Sequence, residues 1–537
     1  MRMPSITRGQ SRFARIPDAK IPRSAFNRSH AHKTTFDAGL LIPMYVDEAL
    51  PGDTFAMSMS GFCRLGTPLK PIMDNLYIDT FFFAIPMRLV WDNWEKFNGA
   101  QDDPGDSTDY TIPQTTIPAA GYANGVVEDY FGLPTGVAAG SPAWTHSALP
   151  RRAYLRVYNE WFRDENLVDS ITYSTGDGPD VHTGSGTTVQ KRGKRHDYFT
   201  SCLPWPQKGN SVSISLGGDD IPVVPAGDKL PKWYGNVGSA TDVSLGAKTG
   251  GSGLTDVEAA AGSGTFNAND NLLWLEPKLQ VDLTQAGQTI NALRQAFQIQ
   301  KMLERDARGG TRYIEIIKAH FGVTSPDARL QRSEYLGGGT AQVVVSPIAQ
   351  TSNHPTEDTP QGNLAAIGTG GWTGHGFAKS FTEHCIILGI ICARADLTYQ
   401  QGIERMWSRS TRYDFYWPAL AHIGEQAVLN KEIYVQGNSN DDATFGYQER
   451  YAEYRYKPSR ISGQFRSTHA TSLEVWHASQ EFSALPTLNK TFIEEDPPID
   501  RLIATPTEPH FLCDMYFNLK CARPMPLYGV PGLIDHF

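Results

Sequence analysis

The sequence predicts a mainly β chain, built as a sandwich or jelly roll with elaborated loops. Three observations carry that prediction. Phe511–Cys521 alternates with period two: Phe511, Cys513, Met515, Phe517, Leu519 and Cys521 share one face, and Asp514, Asn518 and Lys520 share the other. His384–Ala393 (HCIILGIICA) is apolar on both faces, like a strand between two covering layers. Strand-like segments bracket a middle of helices and Gly-rich sequence, so distant β segments must pair into one core.

The elements follow in chain order. Residues 1–33 hold eight Lys/Arg (Arg2, Arg8, Arg12, Arg15, Lys20, Arg23, Arg28, Lys33) against one acid, Asp18. With few apolar residues and no periodic face, this stretch reads as an extended basic arm that cannot fold alone. Such an arm neutralises phosphates on a nucleic acid, or is a solvated tail. The remaining chain is acidic, so the net charge of −9 conceals +7 on the arm and −16 elsewhere.

Thr54–Gly61 alternates as a strand, and Asn75–Ile85 (NLYIDTFFFAI) is an aromatic and β-branched strand stopped by Pro86. Trp91, Trp94 and Phe97 have helical spacing, as do Tyr154, Tyr158, Trp161 and Phe162 on a helix over 151–165. From 171 to 270 the chain holds 17 Gly, with short strand-like pieces at Val212–Leu216 and Ile221–Val224, which suggests a small β-rich insertion. A long helix follows, capped by Asp282 or Thr284, with Ile290, Leu293 and Phe297 on its apolar face and Gly309–Gly310 as its stop. A shorter helix spans about 312–321. Ala341–Ser346 then returns to strand. The resulting divisions are 1–33, 34–170, 171–280 and 281–537.

The search for catalytic chemistry yields little. No phosphate-binding Gly motif, nucleophile elbow or H-E-x-x-H occurs. Cys385 and Cys392, with His384, are spaced too widely for a zinc site and point to opposite faces of an apolar strand, so they read as buried thiols. Cys513 and Cys521 share a face but lie too far apart for a disulfide. The acidic clusters Asp102–Asp103–Asp106–Asp109 and Glu494–Glu495–Asp496 fit turn chemistry or solvated charge better than a calcium site. Trp372, in GGWTGHG, suits either loop packing or stacking on a sugar or base. The basic run Lys191, Arg192, Lys194, Arg195 reads as an exposed loop. Tyr451, Tyr454, Arg455 and Tyr456 (within YAEYRY) either stack bases or serve packing and salt bridges in the barrel or at an interface. No apolar run approaches the ~20 residues that span a bilayer, and the N-terminus has no secretory pattern. No cofactor or metal is expected, nor an enzymatic activity.

Several long stretches resemble a known family: Asp79–Trp91 (DTFFFAIPMRLVW), Asn93–Gly99 (NWEKFNG), Glu449–Thr468 (ERYAEYRYKPSRISGQFRST), Leu473–Phe482 (LEVWHASQEF), Leu485–Phe492 (LPTLNKTF) and Cys521–Phe537 (CARPMPLYGVPGLIDHF). They resemble the major capsid protein of the Microviridae, small icosahedral single-stranded DNA phages, in the gokushovirus branch. The resemblance implies an eight-stranded jelly roll with long inter-strand insertions that contain helices and a Gly-rich protrusion loop. It implies sixty copies in a T=1 shell around circular single-stranded DNA, assembled in the bacterial cytoplasm into a virion. Partners so implied are further copies of the chain, a small basic DNA-packaging protein, other phage structural proteins and a host surface receptor. By position, 171–280 is the candidate three-fold protrusion, with Lys191, Arg192, Lys194, Arg195, Trp233 and Tyr234 as candidate host contacts. The Pro-rich end, with Pro531, Leu533, Ile534 and Phe537, is expected to lie extended on a neighbouring subunit. The competing reading is a β-rich carbohydrate-binding or carbohydrate-cleaving protein, motivated by the strand pattern, 11 Trp and Gly-rich loops.

Overall fold

Period-two alternation builds one curled antiparallel sheet of nine strands. The computed structural model describes residues 22–140, 144–212, 223–225, 232–235, 243–249, 255–259, 272–276, 279–281, 290–324, 331–352 and 361–528. The strands are β1 (Ser24–Asn27), β2 (His30–Phe36), β3 (Ile42–Ala49), β4 (Thr54–Leu65), β5 (Leu76–Pro86), β6 (Glu334–Ala349), β7 (Leu364–Ser380), β8 (Cys385–Ala395) and β9 (Phe511–Arg523). Their order across the sheet is β1-β9-β4-β7-β6-β5-β8-β3, with β2 also on β9. Since β1 and β2 lie one after the other along β9, nine strands fill eight lanes. The mainly β architecture and the curled sheet are those expected of a viral capsid jelly roll.

The curl brings the two ends of the sheet together. Tyr45 of β3 stacks on His30 of β2 at 5.8 Å and meets Phe517 of β9 at 5.3 Å. Arg28, between β1 and β2, pairs with Asp47 of β3. Inside lies the main core, with Phe55, Met59, Ile78, Phe82, Ile387, Met515 and Phe517. The alternation read in β9 is the one observed, apolar in and polar out.

β8 is buried at every residue because it has a cover on each face. Ile387, Ile391 and Ala393 enter the main core, while Ile386, Leu388, Ile390 and Cys392 enter a second one. That second core is roofed by α1 (Leu149–Val157) through Leu149, Ala153, Tyr154 and Val157. The Tyr154 hydroxyl donates to the Leu41 carbonyl at 2.9 Å. Beyond α1 the chain winds one wider turn over Tyr158–Phe162. This wider turn rotates Trp161 out of the stripe predicted for it; Tyr154, Tyr158 and Phe162 remain buried. All six cysteines are buried and unbonded, with Cys385 and Cys392 in different cores.

Three expectations need correction. The basic arm does not run to residue 33, because Ser24–Phe36 is strand. Its local sequence lacks a core face, and β9, nearly five hundred residues away, supplies the pairing. Trp372, expected to pack against a loop or to stack on a sugar or base, is instead buried within β7. Its glycines hide the strand, yet close packing needs them: at Gly376 a Cβ would stand 2.1 Å from the Met57 carbonyl oxygen of β4, and at Gly61 of β4 one would stand 2.3 Å from the Trp372 ring. Finally, the compact insertion is Gln207–Arg308; residues 171–206 belong with the sheet, which the chain rejoins at Gly309. This smaller unit holds a four-stranded antiparallel sheet, ordered Thr255–Ala259, Val243–Thr249, Lys232–Gly235, Leu272–Glu276, and the helix α2 (Ile290–Arg308). The predicted caps Asp282 and Thr284 and the piece Val212–Leu216 lie wholly or mostly outside the described residues. The shorter helix, α3 (Tyr313–Phe321), stops at Gly322 in the left-handed conformation.

The Gly61–Trp372 contact gives a test. Gly61→Ala should cost about 1–3 kcal/mol in urea unfolding of the unassembled subunit. The cost should shrink when Trp372→Leu is introduced with it. Equal losses in both backgrounds would show that the ring is not the obstacle.

Candidate functional site

The basic run at 191–195 is part of the structural centre rather than an exposed loop. Its backbone is paired on both sides. Leu41 N–H donates to the Gln190 carbonyl and Arg192 N–H to Gly39, each at 2.9 Å; Lys194 N–H donates to Ile493 and Glu495 N–H to Arg192, each at 2.7 Å. Arg192 reaches Asp79 of β5 at 2.6 Å, and Arg394 of β8 reaches the same carboxylate at 2.8 Å. Thr340 of β6 donates to its other oxygen at 2.7 Å. Burial alone would raise the Asp79 pKa. The hydrogen bonds from Thr340, Arg192 and Arg394 outweigh it and hold the group below its ordinary value. Lys194 is buried, donating to the Phe492 carbonyl at 2.6 Å. Burial pushes its amine down to about 8, despite Glu495 nearby. Lys191 pairs with Asp496 at 3.0 Å; only Arg195 is fully exposed. Sequence reasoning could not find this, since the partners come from four distant segments. A role for Lys191, Arg192 and Lys194 in a protruding loop is therefore withdrawn.

The acidic clusters also have structural work. Asp106 accepts from the N–H groups of Asp102 and Asp103 at 3.2 and 3.3 Å, as turn chemistry predicts. Glu495 is buried in the network just described. Among the described residues, no group of three His, Cys, Asp or Glu is placed to hold a metal ion. No helix of the described residues is long and apolar enough to cross a membrane.

The exposed chemistry is concentrated elsewhere, on two facing stretches, 403–417 and 449–460. They hold seven Lys/Arg against four Asp/Glu, in a chain that is acidic overall. Trp407 is 70% exposed, Tyr454 52% and Tyr456 48%. Phe415, Tyr416 and Trp417 are also exposed. The Arg409 guanidinium lies over the Tyr454 ring at 4.5 Å and over Phe415 at 5.2 Å, and pairs with Glu453 at 3.4 Å. Arg412 lies over Tyr413 at 5.1 Å. The loop is shaped by Asp414, which accepts from the N–H groups of Ser410 and Thr411 at 2.9 and 2.7 Å. Those bonds lower its pKa. Between the stretches opens a cleft of about 350 Å³. At its base Glu432 accepts from the Tyr198 hydroxyl at 2.8 Å and pairs with Arg405 at 3.1 Å. Burial raises the Glu432 pKa.

Tyr451 differs from its neighbours. It is buried, with φ of 63°, and supports the exposed rings from beneath: Tyr416 at 5.2 Å and Tyr454 at 6.2 Å. It is therefore unable to stack on a ligand, whereas Tyr454 and Tyr456 present open ring area beside Arg455, which pairs with Glu449. The stretch 405–417 (RMWSRSTRYDFYW) was missed from sequence. Its signal was the same alternation of Arg with aromatics that singled out 451–456.

The other predicted positions scatter. Arg23 donates to the Thr54 hydroxyl at 3.0 Å, Arg28 is committed to Asp47, and Lys33 pairs with Asp514 at 3.3 Å on the sheet surface. Arg2, Arg8, Arg12, Arg15 and Lys20 lie outside the described residues, as do Pro531, Leu533, Ile534 and Phe537. Trp233 and Tyr234 fall on the strand Lys232–Gly235 of the smaller unit.

Comparison with known proteins covers nearly the whole chain. Residues 14–533 match the family model described as capsid protein (F protein). The chain is 49% identical to capsid protein VP1 of Bdellovibrio phage phiMH2K, with 98% of each covered. It is 44% identical to capsid protein VP1 of Chlamydia phage 1, with 99% of each covered, and 38% identical to that of Spiroplasma virus 4, with 97% of each covered.

The Asp79 network makes its own prediction. Asp79→Asn removes the hydrogen-bonded counter-charge of buried Arg394 and part-buried Arg192, leaving Asp396 at 3.8 Å from Arg394, and should cost about 3 kcal/mol in the isolated subunit. Because the folded pKa is lowered, the unfolded chain binds more protons between the two values, and stability rises with pH there. The contribution is complete above the ordinary value of 3.8 and is lost as pH falls through the lower folded value. Urea midpoints measured against pH should therefore converge for the two proteins in acid. Parallel curves would contradict this assignment.

Proposed function

The chain belongs to the phage capsid protein (F protein) family, and from that premise we propose that sixty copies close into a T=1 shell around circular single-stranded DNA. Its role is structural, as a capsid protein and component of the virion. The observation that carries the finer reading is the Arg–aromatic surface at 403–417 and 449–460. A single chain leaves Trp407, Tyr454 and Tyr456 uncovered while burying three apolar clusters, and uncovered rings on that scale mark a contact surface.

The chemistry favours single-stranded nucleic acid as the partner of that surface. Unpaired bases have apolar faces that stack on Tyr and Trp, and their phosphates are neutralised by Arg and Lys beside the rings. Arg409, Arg412, Arg455, Lys457 and Arg460 supply those charges. The basic residues Arg2, Arg8, Arg12, Arg15 and Lys20 add a sequence-independent attraction, to the DNA or to a small basic packaging protein that shares it. The smaller unit, Gln207–Arg308, is the part assigned to host attachment, with Trp233 and Tyr234 as candidate contacts. Assembly takes place in the cytoplasm of the bacterial host.

Two measurements test this. Expression of the chain with its phage partners should give uniform icosahedral particles by size-exclusion chromatography and negative-stain microscopy; a monomer or small oligomer under those conditions would sink the shell. Replacing Arg2, Arg8, Arg12 and Arg15 by Gln should reduce packaged DNA in intact particles.

The stacking surface is tested separately. Tyr454→Ser with Tyr456→Ser should lower the yield of DNA-filled particles roughly tenfold, since each stacked base contributes about 1–3 kcal/mol. If total particle yield collapses instead, the rings are subunit contacts.

A further inference from the structure

We propose that a second aromatic cleft, above Phe81 and Phe83 of β5, receives residues 529–537 of a neighbouring copy. This rests on the shell reading, which supplies the neighbour.

The cleft has a volume of about 440 Å³. Phe83 forms its floor, with Trp161 at 5.5 Å, Tyr335 at 5.6 Å and Phe162 at 5.8 Å. Trp161 and Tyr335 are 39% and 44% exposed; the Arg332 guanidinium lies over the Trp161 ring at 4.0 Å, and the rest of the box is open beside it. Phe162 meets its neighbours edge to face, crossing Phe83 at 80° and Phe81 at 74°, while Phe81 and Phe83 lie at 26° to each other. Neighbouring rings and two guanidinium groups, Arg332 over Trp161 and Arg192 over Phe81 at 5.2 Å, take up the ring faces. What remains is a slot for compact apolar side chains rather than a platform for a run of bases, in contrast to the open rings of Tyr454 and Tyr456.

The rim is cationic. Arg163, Arg195 and His196 line it alongside Arg192 and Lys194. Asp79 and Glu495 answer the last two, whereas Arg195 and His196 are exposed with no described partner. The one acid of the lining, Asp164, is engaged by the N–H groups of Asn166 and Leu167 at 2.9 and 3.1 Å. The occupant should therefore be apolar with an added negative charge.

Residues 529–537 (GVPGLIDHF) have that chemistry: Val530, Leu533, Ile534 and Phe537 as anchors, Asp535 as the charge, and no Lys or Arg. The described chain ends at Tyr528, on the surface. Nine extended residues reach about 30 Å, enough to cross a subunit boundary. The other end of the chain is excluded by charge, since five Lys/Arg against one Asp in residues 1–21 would be repelled by the rim.

Disulfide trapping tests the contact in the full chain, because all six native cysteines are buried. Particles are assembled from a mixture of Arg195→Cys and Ile534→Cys chains, oxidised mildly, and run on a non-reducing gel. Docking raises the effective thiol concentration, so cross-linked dimer should exceed by roughly tenfold that from a Ser58→Cys and Ile534→Cys mixture. Adding Trp161→Ala and Tyr335→Ala to the Arg195→Cys chain should abolish the excess. Intact particles with no excess would overturn this docking while leaving the shell reading standing. In a chain carrying both Arg195→Cys and Ile534→Cys, linkage found only within one chain would overturn the neighbouring-copy assignment. Photo-cross-linking of bromouracil-substituted genome to Trp161, without thiol linkage, would make the cleft a nucleic-acid site and overturn it too. Failure of the unmodified chain to form particles would count against the shell reading itself.

Discussion

Asp79 is the constraint on which the rest of the subunit depends. It sits in the middle of β5, buried, and it is answered from three directions: Thr340 on β6, Arg394 on β8 and Arg192 on the segment that threads between residues 39–41 and 493–495. A buried carboxylate without partners costs several kcal/mol, and so does each buried guanidinium. None of these groups tolerates the others' absence. The network therefore specifies more than it stabilises. It sets β6, β5 and β8 in register with one another, and it fixes where a segment from outside the sheet crosses.

Much of the remaining architecture follows from that crossing. With 190–195 pinned, Gln190 N–H donates to the Tyr154 hydroxyl, which itself donates to Leu41; α1 is thereby held over the outer face of β5 and β8. The second core can then close over Phe83, Ile386 and Leu388. On the other side, Lys194 and Glu495 carry the same polar seam to Phe492, which belongs to a third apolar cluster with Tyr198, Tyr399 and Phe445. That third cluster lies below the Arg–aromatic surface, through Tyr198 and Glu432. One polar seam thus separates three apolar bodies and orders them relative to one another.

This arrangement explains what was legible in the sequence. β8 and β9 were readable because burial leaves a periodic or continuous apolar record in the strand itself. Their neighbours β1 and β2 were not, because their partner is nearly five hundred residues away and one face of each is solvated. β7 was masked by glycines whose purpose, clearance for Leu65 and the Met57 carbonyl of β4, exists only once β4 is alongside. The Lys191–Arg195 run misled for a related reason: a cluster of cations in Gly-rich sequence looks solvated until its counter-charges are located, and Asp79, Glu495 and Asp496 are remote in the chain. The aromatic candidates were partly legible. Arg interleaved with Tyr marked the right surface at 454–456, but local sequence could not tell the buried Tyr451 from the exposed Tyr454, since the left-handed turn at 451 decides it.

The two ring-lined surfaces differ in a way that bears on how a shell subunit divides its contacts. Both place aromatics beside cations, and composition alone would assign them the same partner. In the cleft over β5 the rings wall one another in, with Arg332 over Trp161 and Arg192 over Phe81, and leave a slot of fixed shape. At 403–417 and 449–460 Tyr416, Tyr451 and Tyr454 also meet edge to face, yet Trp407, Tyr454 and Tyr456 remain about half or more open to solvent. A fixed slot selects one side chain in one orientation, as a contact repeated at every copy requires. An open row of rings accepts any base in sequence, as the proposed contact with single-stranded DNA requires. Under the proposed shell, the exposure of the rings, more than the count of Arg and Tyr, separates a slot for one repeated partner from a row open to varied bases.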